Sequence, residues 1–208
     1  MPIRIAITSD FICPWCYIGE RRLARAIATL PAETAIELTW RPFELNTAMP
    51  AEGMDRKTYR SLKFGNWERS RMLDAHTVAA AQGDGIVFDY DAMQRTPNTL
   101  LAHRLMQLAA RHGLATQVAQ ALFQGYFEQG LDLGDAGTLA AIAGKQGVDH
   151  DEVATFLAGA QGLAEVRAAQ QDARLSGVRS VPWFDIAGEV ISGAQSVEVF
   201  TAALRRAL

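Results

Sequence analysis

Cysteine is scarce in this sequence: only two of the 208 residues are cysteines, and both belong to one segment, Cys13-Pro14-Trp15-Cys16. No other cysteine is left to pair elsewhere, which excludes a framework of structural disulfides. The usual second C-x-x-C of a zinc site is also missing, and the four histidines are scattered along the chain at His76, His103, His112 and His150. Zinc binding therefore stays a minor alternative, and no metal site is predicted.

Runs of like charge are absent too, and the formal net charge is only -3. Nucleic acids and anionic bilayers select basic clusters, so neither is an expected partner. The first ten residues reach the polar Thr8, Ser9 and Asp10 before any apolar stretch long enough for a signal-peptide core or a membrane span. We therefore expect the chain in the cytosol, where reducing conditions favour a redox-active cysteine pair over a structural disulfide.

Alternating and helical patterns mark the beginning of the fold. Ile3, Ile5 and Ile7 alternate with more polar residues, as in a half-buried strand, and a helical pattern runs from Pro14 to about Leu30. A second alternation at Ile36, Leu38 and Trp40 predicts another strand. This strand, helix, strand unit would pair its strands in parallel through a right-handed crossover.

The middle of the chain, residues 55–176, has no convincing strand pattern and several helical ones. Thr96 and Pro97 predict a helix start, as N-cap and first helical residue. After Gly177 the sequence predicts a hairpin, at 183–186 and 189–191, and a last helix from about Ser196. We predict an α/β fold, with a thioredoxin-like domain at residues 1–54 and 177–208 and an all-helical domain, residues 55–176, inserted into it.

The Cys13-Pro14-Trp15-Cys16 segment lies where the first strand passes into the first helix. The amino end of a helix lowers the pKa of a thiol through its free N–H groups, which favours Cys13 as an exposed nucleophile. Pro14 suits the first helical turn, and Cys16 follows one turn on, where it could attack a mixed disulfide on Cys13. Two buried structural thiols are the other alternative.

Other candidate residues have two interpretations each. Pro182 precedes a predicted hairpin strand, and a cis bond there would present the backbone of Val181 to a substrate. Asn98 and Thr99 suit either a helix cap or substrate binding, and His103 suits either a structural or a catalytic role. Several aromatic residues of the helical segment fit a core better than a binding groove: Tyr59, Phe64, Trp67, Phe123, Tyr126 and Phe127.

The segment from Asp10 to Gly19 resembles the opening of the DsbA-like oxidoreductases of the FrnE type. The similarity continues through Pro97-Asn98-Thr99, His103, 123–127 and Gly177-Val178 to Val181-Pro182, and it ends with 191–195. The resemblance implies a thioredoxin fold with a helical insertion, Cys13 as nucleophile, Cys16 as resolving cysteine and Pro182 as the cis-proline. Secreted relatives carry histidine at the position of Trp15, so strong oxidant behaviour is not implied. Family members often carry glycine at the position of Ser180, so the resemblance does not specify the geometry of the loop before Pro182.

We therefore expect a thiol-disulfide oxidoreductase that acts on protein or small-molecule disulfides. No tightly bound cofactor is expected, glutathione is a candidate redox partner, and family habit alone suggests a homodimer. The superfamily also contains 2-hydroxychromene-2-carboxylate isomerases, which depend on glutathione, and kappa-class transferases. A glutathione-dependent isomerase or transferase is thus one alternative, and a non-catalytic module that holds client proteins is another.

Overall fold

A four-stranded mixed sheet forms the centre of the fold in a computed structural model that describes all 208 residues. The alternating isoleucines form β1, Ile3–Ser9, which pairs in parallel with β2, Ile36–Pro42. The predicted hairpin forms β5, Trp183–Ile186, and β6, Glu189–Ser192, and β5 lies antiparallel to β1. The strand order is β2-β1-β5-β6, so the two halves of the predicted thioredoxin-like core join in one sheet.

Nine helices surround this sheet or lie beside it. The helix that follows the cysteine segment is α1, Pro14–Ile27. The last helix is α9, Val197–Arg206, which begins where the sequence predicts and is capped by Ser196. The others lie between β2 and β5: α2 Arg56–Phe64, α3 Trp67–Ala80, α4 Leu100–Arg111, α5 Ala115–Gln129, α6 Ala136–Lys145, α7 His150–Ala158 and α8 Leu163–Leu175. The α/β class and the helical insertion are confirmed.

Helices α1 and α9 pack together against one face of the sheet. The inward side chains of β1 meet Leu23 of α1 and Leu204 of α9 in a cluster of 11 buried residues. Phe184 of β5 and Phe200 of α9 pack edge to face at its centre, with ring centroids 4.8 Å apart. Burial of this apolar surface stabilises α1 on the sheet and so determines where the cysteine segment begins.

Three predicted details differ in the structure, two of them in the helical segment and one in the first helix. A short ladder joins β3, Met54–Asp55, to β4, Arg95–Thr96, within the part of the chain predicted to be all helical. Because Thr96 is held in that ladder, it does not cap a helix, and α4 begins at Leu100 instead. The first helix also ends at Ile27, earlier than the predicted Leu30.

The largest hydrophobic cluster, of 25 buried residues, crosses the predicted domain boundary. It joins Phe11, Cys16 and Tyr17 to residues of α4 to α7 such as Phe123 and Leu139. The helical segment thus packs directly on the cysteine segment, and its description as a separate domain stays a prediction. No helix combines the length and apolarity that crossing a bilayer requires.

Candidate active site

Cys13 and Cys16 lie at the amino end of α1. Cys13 is the N-cap residue, Pro14 occupies the first helical turn, and the carbonyl of Cys13 accepts hydrogen bonds from the N–H groups of Cys16 and Tyr17 at 3.0 and 3.3 Å. The backbone N–H of Cys13 donates to the carbonyl of Asp10 at 3.1 Å, which closes the turn between β1 and α1. Both cysteines are free thiols, with no disulfide bond between them.

Both thiols are largely withdrawn from solvent, and the prediction of an exposed Cys13 was wrong. Cys13 is 5% exposed and Cys16 is 1% exposed. The Cys13 thiol nevertheless borders an open cleft, described below. Burial raises the pKa of Cys16 well above its ordinary value, as do, to a smaller extent, its hydrogen bond with Cys13 and the charge there. Cys16 is therefore the inner thiol, and its burial favours the protonated form.

The loop before β5 passes over the Cys13 thiol. The Val181–Pro182 peptide bond is cis, in agreement with the resemblance, and the thiol of Cys13 donates to the carbonyl oxygen of Val181 at 3.7 Å. Gly19 makes the close approach of this loop to α1 possible, because a Cβ atom on Gly19 would lie 3.3 Å from Cγ of Pro182. The sheet, α1 and this loop together place the Val181 backbone beside the outer sulfur.

A cleft of about 320 Å³ opens in front of Cys13, between the start of α1 and helices α2 and α3. Pro14, Trp15 and Val181 form its wall on the cysteine side. Most of the remaining wall is apolar or aromatic: Ile12, Leu45, Tyr59, Phe64, Leu73, Tyr90, Met93, Tyr126 and Phe127. A cleft of this size and character is suited to a small organic ligand or to the side chains of an extended peptide.

Cations line one side of this cleft. Arg56, Arg60 and Lys63 lie along one face of α2, while Asp74 is the only carboxylate among the lining residues. Asp74 accepts from Arg56 at 2.7 Å and from Arg60 at 2.6 Å, so both guanidinium groups share one negative charge. Lys63 donates only to neutral oxygens, at 2.7 Å to the Tyr59 hydroxyl and 3.1 Å to Asn46. This side of the cleft therefore carries excess positive charge near Cys13.

The structure does not bring all predicted site residues together. Asn98 and Thr99 lie outside the cleft lining. Asn98 instead holds two backbone segments, donating to the carbonyl of Met49 at 2.7 Å and accepting from the N–H of Leu100 at 2.9 Å, while Thr99 is the buried N-cap residue of α4. The Asn98 side chain thus caps the start of α4, whereas the Thr99 side chain makes no capping hydrogen bond, and the placement of neither residue supports substrate contact.

His103 is buried behind the cysteine segment and does not line the cleft. Its Nε2 atom lies 3.4 Å from Oδ1 of Asp10, and its ring packs against Phe11 with centroids 5.2 Å apart. Direct contact with a substrate in the cleft is therefore not supported for His103. The residue is instead part of a buried polar group of side chains beneath the thiols.

Several residues of the cleft were missed or assigned to the core from the sequence. Tyr59, Phe64, Tyr126 and Phe127 line the cleft, while Phe123 is fully buried in the core. The cations of α2 were missed, although their spacing of one and two helical turns is a signal for one helix face. His76 was missed as well: it lines the cleft and packs edge-on against Trp15, with ring centroids 5.5 Å apart.

The chain thus has a C-x-x-C segment at the start of the first helix of a thioredoxin-like core, and a cis X–Pro bond lies beside it. These features define the class of protein: a dithiol protein with a thioredoxin fold. No group of three or more histidine, cysteine, aspartate or glutamate side chains converges in a way that could hold a metal ion. The chain belongs to the DSBA-like thioredoxin domain family, whose model matches residues 4–205.

Individual relatives agree with this assignment. A probable DsbA oxidoreductase of Streptomyces coelicolor, SCO1869, has 31% sequence identity and a TM-score of 0.89, over 99% of this chain and 89% of that one. The uncharacterized protein YwbO of Bacillus subtilis (strain 168) is 25% identical over 98% of this chain and 96% of its own.

Two further solved structures share the fold at lower identity. A 2-hydroxychromene-2-carboxylate isomerase has a TM-score of 0.76 at 16% identity and covers 98% of this chain and 95% of its own. The cytosolic disulfide reductase DsbM of Pseudomonas aeruginosa, in a structure with GSH, has a TM-score of 0.69 at 14% identity, over 98% of each chain.

Proposed function

We propose that this protein is a thiol-disulfide oxidoreductase that exchanges disulfides through Cys13 and Cys16. The observation that carries the proposal is the position of the two sulfurs: Cys13 borders the cleft at the helix start, and Cys16 lies directly behind it in the core. A thiolate at a helix start attacks disulfides, and an adjacent second thiol resolves the product. The DsbA-like family, which includes oxidoreductases, supports the same chemistry.

The proposed reaction has two balanced steps. In the first, the Cys13 thiolate attacks one sulfur of a substrate disulfide; a bond forms between Cys13 and that sulfur, and the other substrate sulfur leaves as a thiolate. In the second, Cys16 loses its proton and attacks the sulfur of Cys13, and the remaining substrate sulfur leaves. The substrate is reduced to two thiols, the protein is oxidised to a Cys13–Cys16 disulfide, and the reverse sequence oxidises a dithiol.

The cleft supports a small anionic disulfide, glutathione disulfide, as one substrate. Glutathione carries two carboxylates, and the excess positive charge along α2, from Arg56 to Lys63, would attract them. DsbM, which shares the fold, has been captured with GSH and is described as a cytosolic reductase. We propose glutathione as a redox partner rather than a resident cofactor, protein disulfides as the other substrates, and the cytosol as the compartment.

A trapping experiment tests the proposal. In the Cys16→Ser variant the second step is blocked, so a mixed disulfide with glutathione disulfide or with a model protein disulfide should accumulate on Cys13, visible as added mass that a reductant removes. The Cys13→Ser variant is the matched control and should trap nothing. Absence of any adduct on a folded Cys16→Ser protein, together with absence of reductase and oxidase activity in the wild type, would refute the proposal.

Two other functions are separated by the same variants. The isomerase that shares this fold motivates a glutathione-dependent reaction on a small molecule. Such an activity would persist in Cys13→Ser but would require added glutathione. A module that only holds client proteins would suppress their aggregation equally well after both cysteines are replaced by serine.

A further inference from the structure

Arg56, the buried arginine of the cleft, has donors that no protein atom accepts. It is 4% exposed, and its side chain lines the cleft. A guanidinium has five N–H donors, yet the only protein acceptor of this one is Asp74, which accepts from Nη2 at 2.7 Å. Asp74 also accepts from Arg60 at 2.6 Å, and Arg60 has a further partner in Ser70 at 2.5 Å. Because buried charges are normally paired, this arrangement points to an anion that binds from the cleft.

Arg104 of α4 shows how a structural arginine is buried in the same fold. It is 6% exposed, and all three of its side-chain nitrogens donate to backbone carbonyls at the end of α7, at distances from 2.6 to 3.2 Å. These carbonyls belong to Phe156, Leu157, Gly159 and Gln161. In Arg56, by contrast, Nε and Nη1 donate to no protein atom. Internal hydrogen bonds therefore account for the burial of Arg104, whereas Arg56 retains donors for a ligand.

The Arg56 guanidinium is fixed in place although these donors are free. Its central carbon lies 5.1 Å from the ring centroid of Tyr90 and 5.5 Å from that of Trp67, and Asp74 holds Nη2. Neither Nε nor Nη1 is sealed inside the core, and the residue borders the cleft, so a ligand can reach them. A guanidinium fixed in one plane is suited to a carboxylate, which can accept from two of its N–H groups at once.

The wall next to Arg56 is aromatic. The ring of Tyr90, against which the guanidinium lies, is 6.4 Å from the ring of Phe127, and Phe127 is 4.9 Å from Tyr126, measured between centroids. All three side chains line the cleft, as does the buried Met93. A flat apolar ligand would bury its body against these rings. A polar body would leave its own donors and acceptors unpaired on this wall.

We propose that this inner part of the cleft binds an aromatic carboxylate, with the carboxylate on Arg56 and the ring against Tyr90 and Phe127. A second part of the proposal rests on the proposed disulfide exchange: because Cys13 borders the same cleft, aryl disulfides that carry a carboxylate are preferred substrates. The reaction remains the two-step exchange given above, with an aryl thiolate as the leaving group. Lys63, at the exposed end of α2, stays available to other anions.

Binding is measured by titration calorimetry on the Cys13→Ser variant, which cannot exchange disulfides. The probe is 2-naphthoate, and its neutral analogue 2-naphthamide is the control ligand. Naphthoate should bind about 10–100-fold more tightly, the ratio expected for hydrogen bonds to a charged group. In an added Arg56→Gln substitution the two affinities should become similar. Lys57→Gln, on the exposed side of α2, should keep the original ratio.

Asp74→Asn separates a ligand site from a structural network. This substitution removes the carboxylate that competes for Arg56, so naphthoate should bind several-fold more tightly while naphthamide binding is unchanged. Loss of a merely structural contact would weaken the binding of both ligands or of neither. The comparison of the two ligands on the Cys13→Ser protein needs no substitution in the network, so it decides the question even where Arg56→Gln or Asp74→Asn does not fold.

The substrate preference is measured in Cys16→Ser, in which attack by Cys13 is isolated. The probes are 4,4′-dithiobis(benzoate) and its dimethyl ester, and each rate constant is divided by that of free β-mercaptoethanol, which removes the difference in intrinsic reactivity. The normalised rate constant should be about tenfold higher for the carboxylate than for the ester. This preference should disappear when Arg56→Gln is added.

Two results would overturn the carboxylate site: equal affinity for naphthoate and naphthamide in the Cys13→Ser protein, or an unchanged ratio of the two in a folded Arg56→Gln protein. Equal normalised rates for the acid and the ester would overturn the substrate preference. Failure of Cys16→Ser to trap any adduct would instead refute the disulfide exchange. Naphthoate binding to Cys13→Ser does not depend on that exchange, so the failures are distinguishable.

Discussion

Gly19 of α1 is the position at which one added methyl group should test the link between packing and the site. A Cβ atom there would lie 2.9 Å from Cζ of Phe184 and 3.3 Å from Cγ of Pro182. Phe184 is fully buried, and its ring is held against Phe200, so it cannot rotate away freely. Replacement of glycine by alanine within a helix gains about 1 kcal/mol of helix stability, and overpacking costs about 1–3 kcal/mol.

The 2.9 Å approach to the confined Phe184 ring places the overpacking cost of Gly19→Ala in the upper part of its range, about 2–3 kcal/mol. We therefore expect a net loss of about 1–2 kcal/mol in the free energy of unfolding, measured by urea titration of the reduced protein. Attack by Cys13 should also slow, because the strained contact includes Pro182, which follows the Val181 carbonyl beside the thiol. Gly144→Ala is the matched control: Gly144 lies in α6, it is exposed, and the nearest atom to its Cβ would be Cβ of His150 at 4.0 Å.

The two alanine substitutions should have opposite signs. Gly144→Ala should stabilise the protein by about 0.5–1 kcal/mol through helix propensity alone. A Gly19→Ala protein as stable as the wild type, or more stable, would show that α1 and the Pro182 loop do not pack as closely as described.

Three further predictions concern charge. Burial raises the pKa of Glu20, so protonation of this carboxyl stabilises the folded state; the contribution is full below the pKa of the unfolded chain and is lost as the pH rises through the folded-state pKa. Glu20→Gln should therefore be more stable than the wild type at pH 7 but not near pH 4. Urea titrations at the two pH values measure this difference. Lys63→Gln should raise KM for glutathione disulfide several-fold but not for the uncharged hydroxyethyl disulfide, while Lys57→Gln should change neither, in steady-state assays. Asp84→Asn should cost about 3 kcal/mol in thermal unfolding, because Asp84 is a buried partner of Arg22, at 2.8 Å.

Local patterns in the sequence determined the framework of the fold. The alternation of Ile3, Ile5 and Ile7 specified a strand with one apolar face, and the Cys13-Pro14 junction specified where the first helix begins. These features depend on residues near one another in the chain, so a single sequence contains them. The same holds for the hairpin at 183–192 and for the cap at Ser196.

Long-range contacts decided the composition of the cleft and the exposure of Cys13. Helix α2 lies near Cys13 only in the folded chain. The sequence around the cysteines therefore predicts neither the cations of α2 in the cleft nor the burial of the Cys13 thiol. Thr96 illustrates the same competition, because a distant strand partner at Met54 overrode its strong local capping pattern.

The buried group beneath the thiols shows the division most clearly. The sequence alone determined a Cys13–Cys16 pair at a helix start, because a turn, a proline and a helix are local properties. Only the tertiary structure decided that Ser9 and His103, far apart in the chain, line one small cavity behind the cysteine segment. Burial withdraws Cys16 from water and raises the pKa of its thiol, and this burial depends on residues that are distant in the chain.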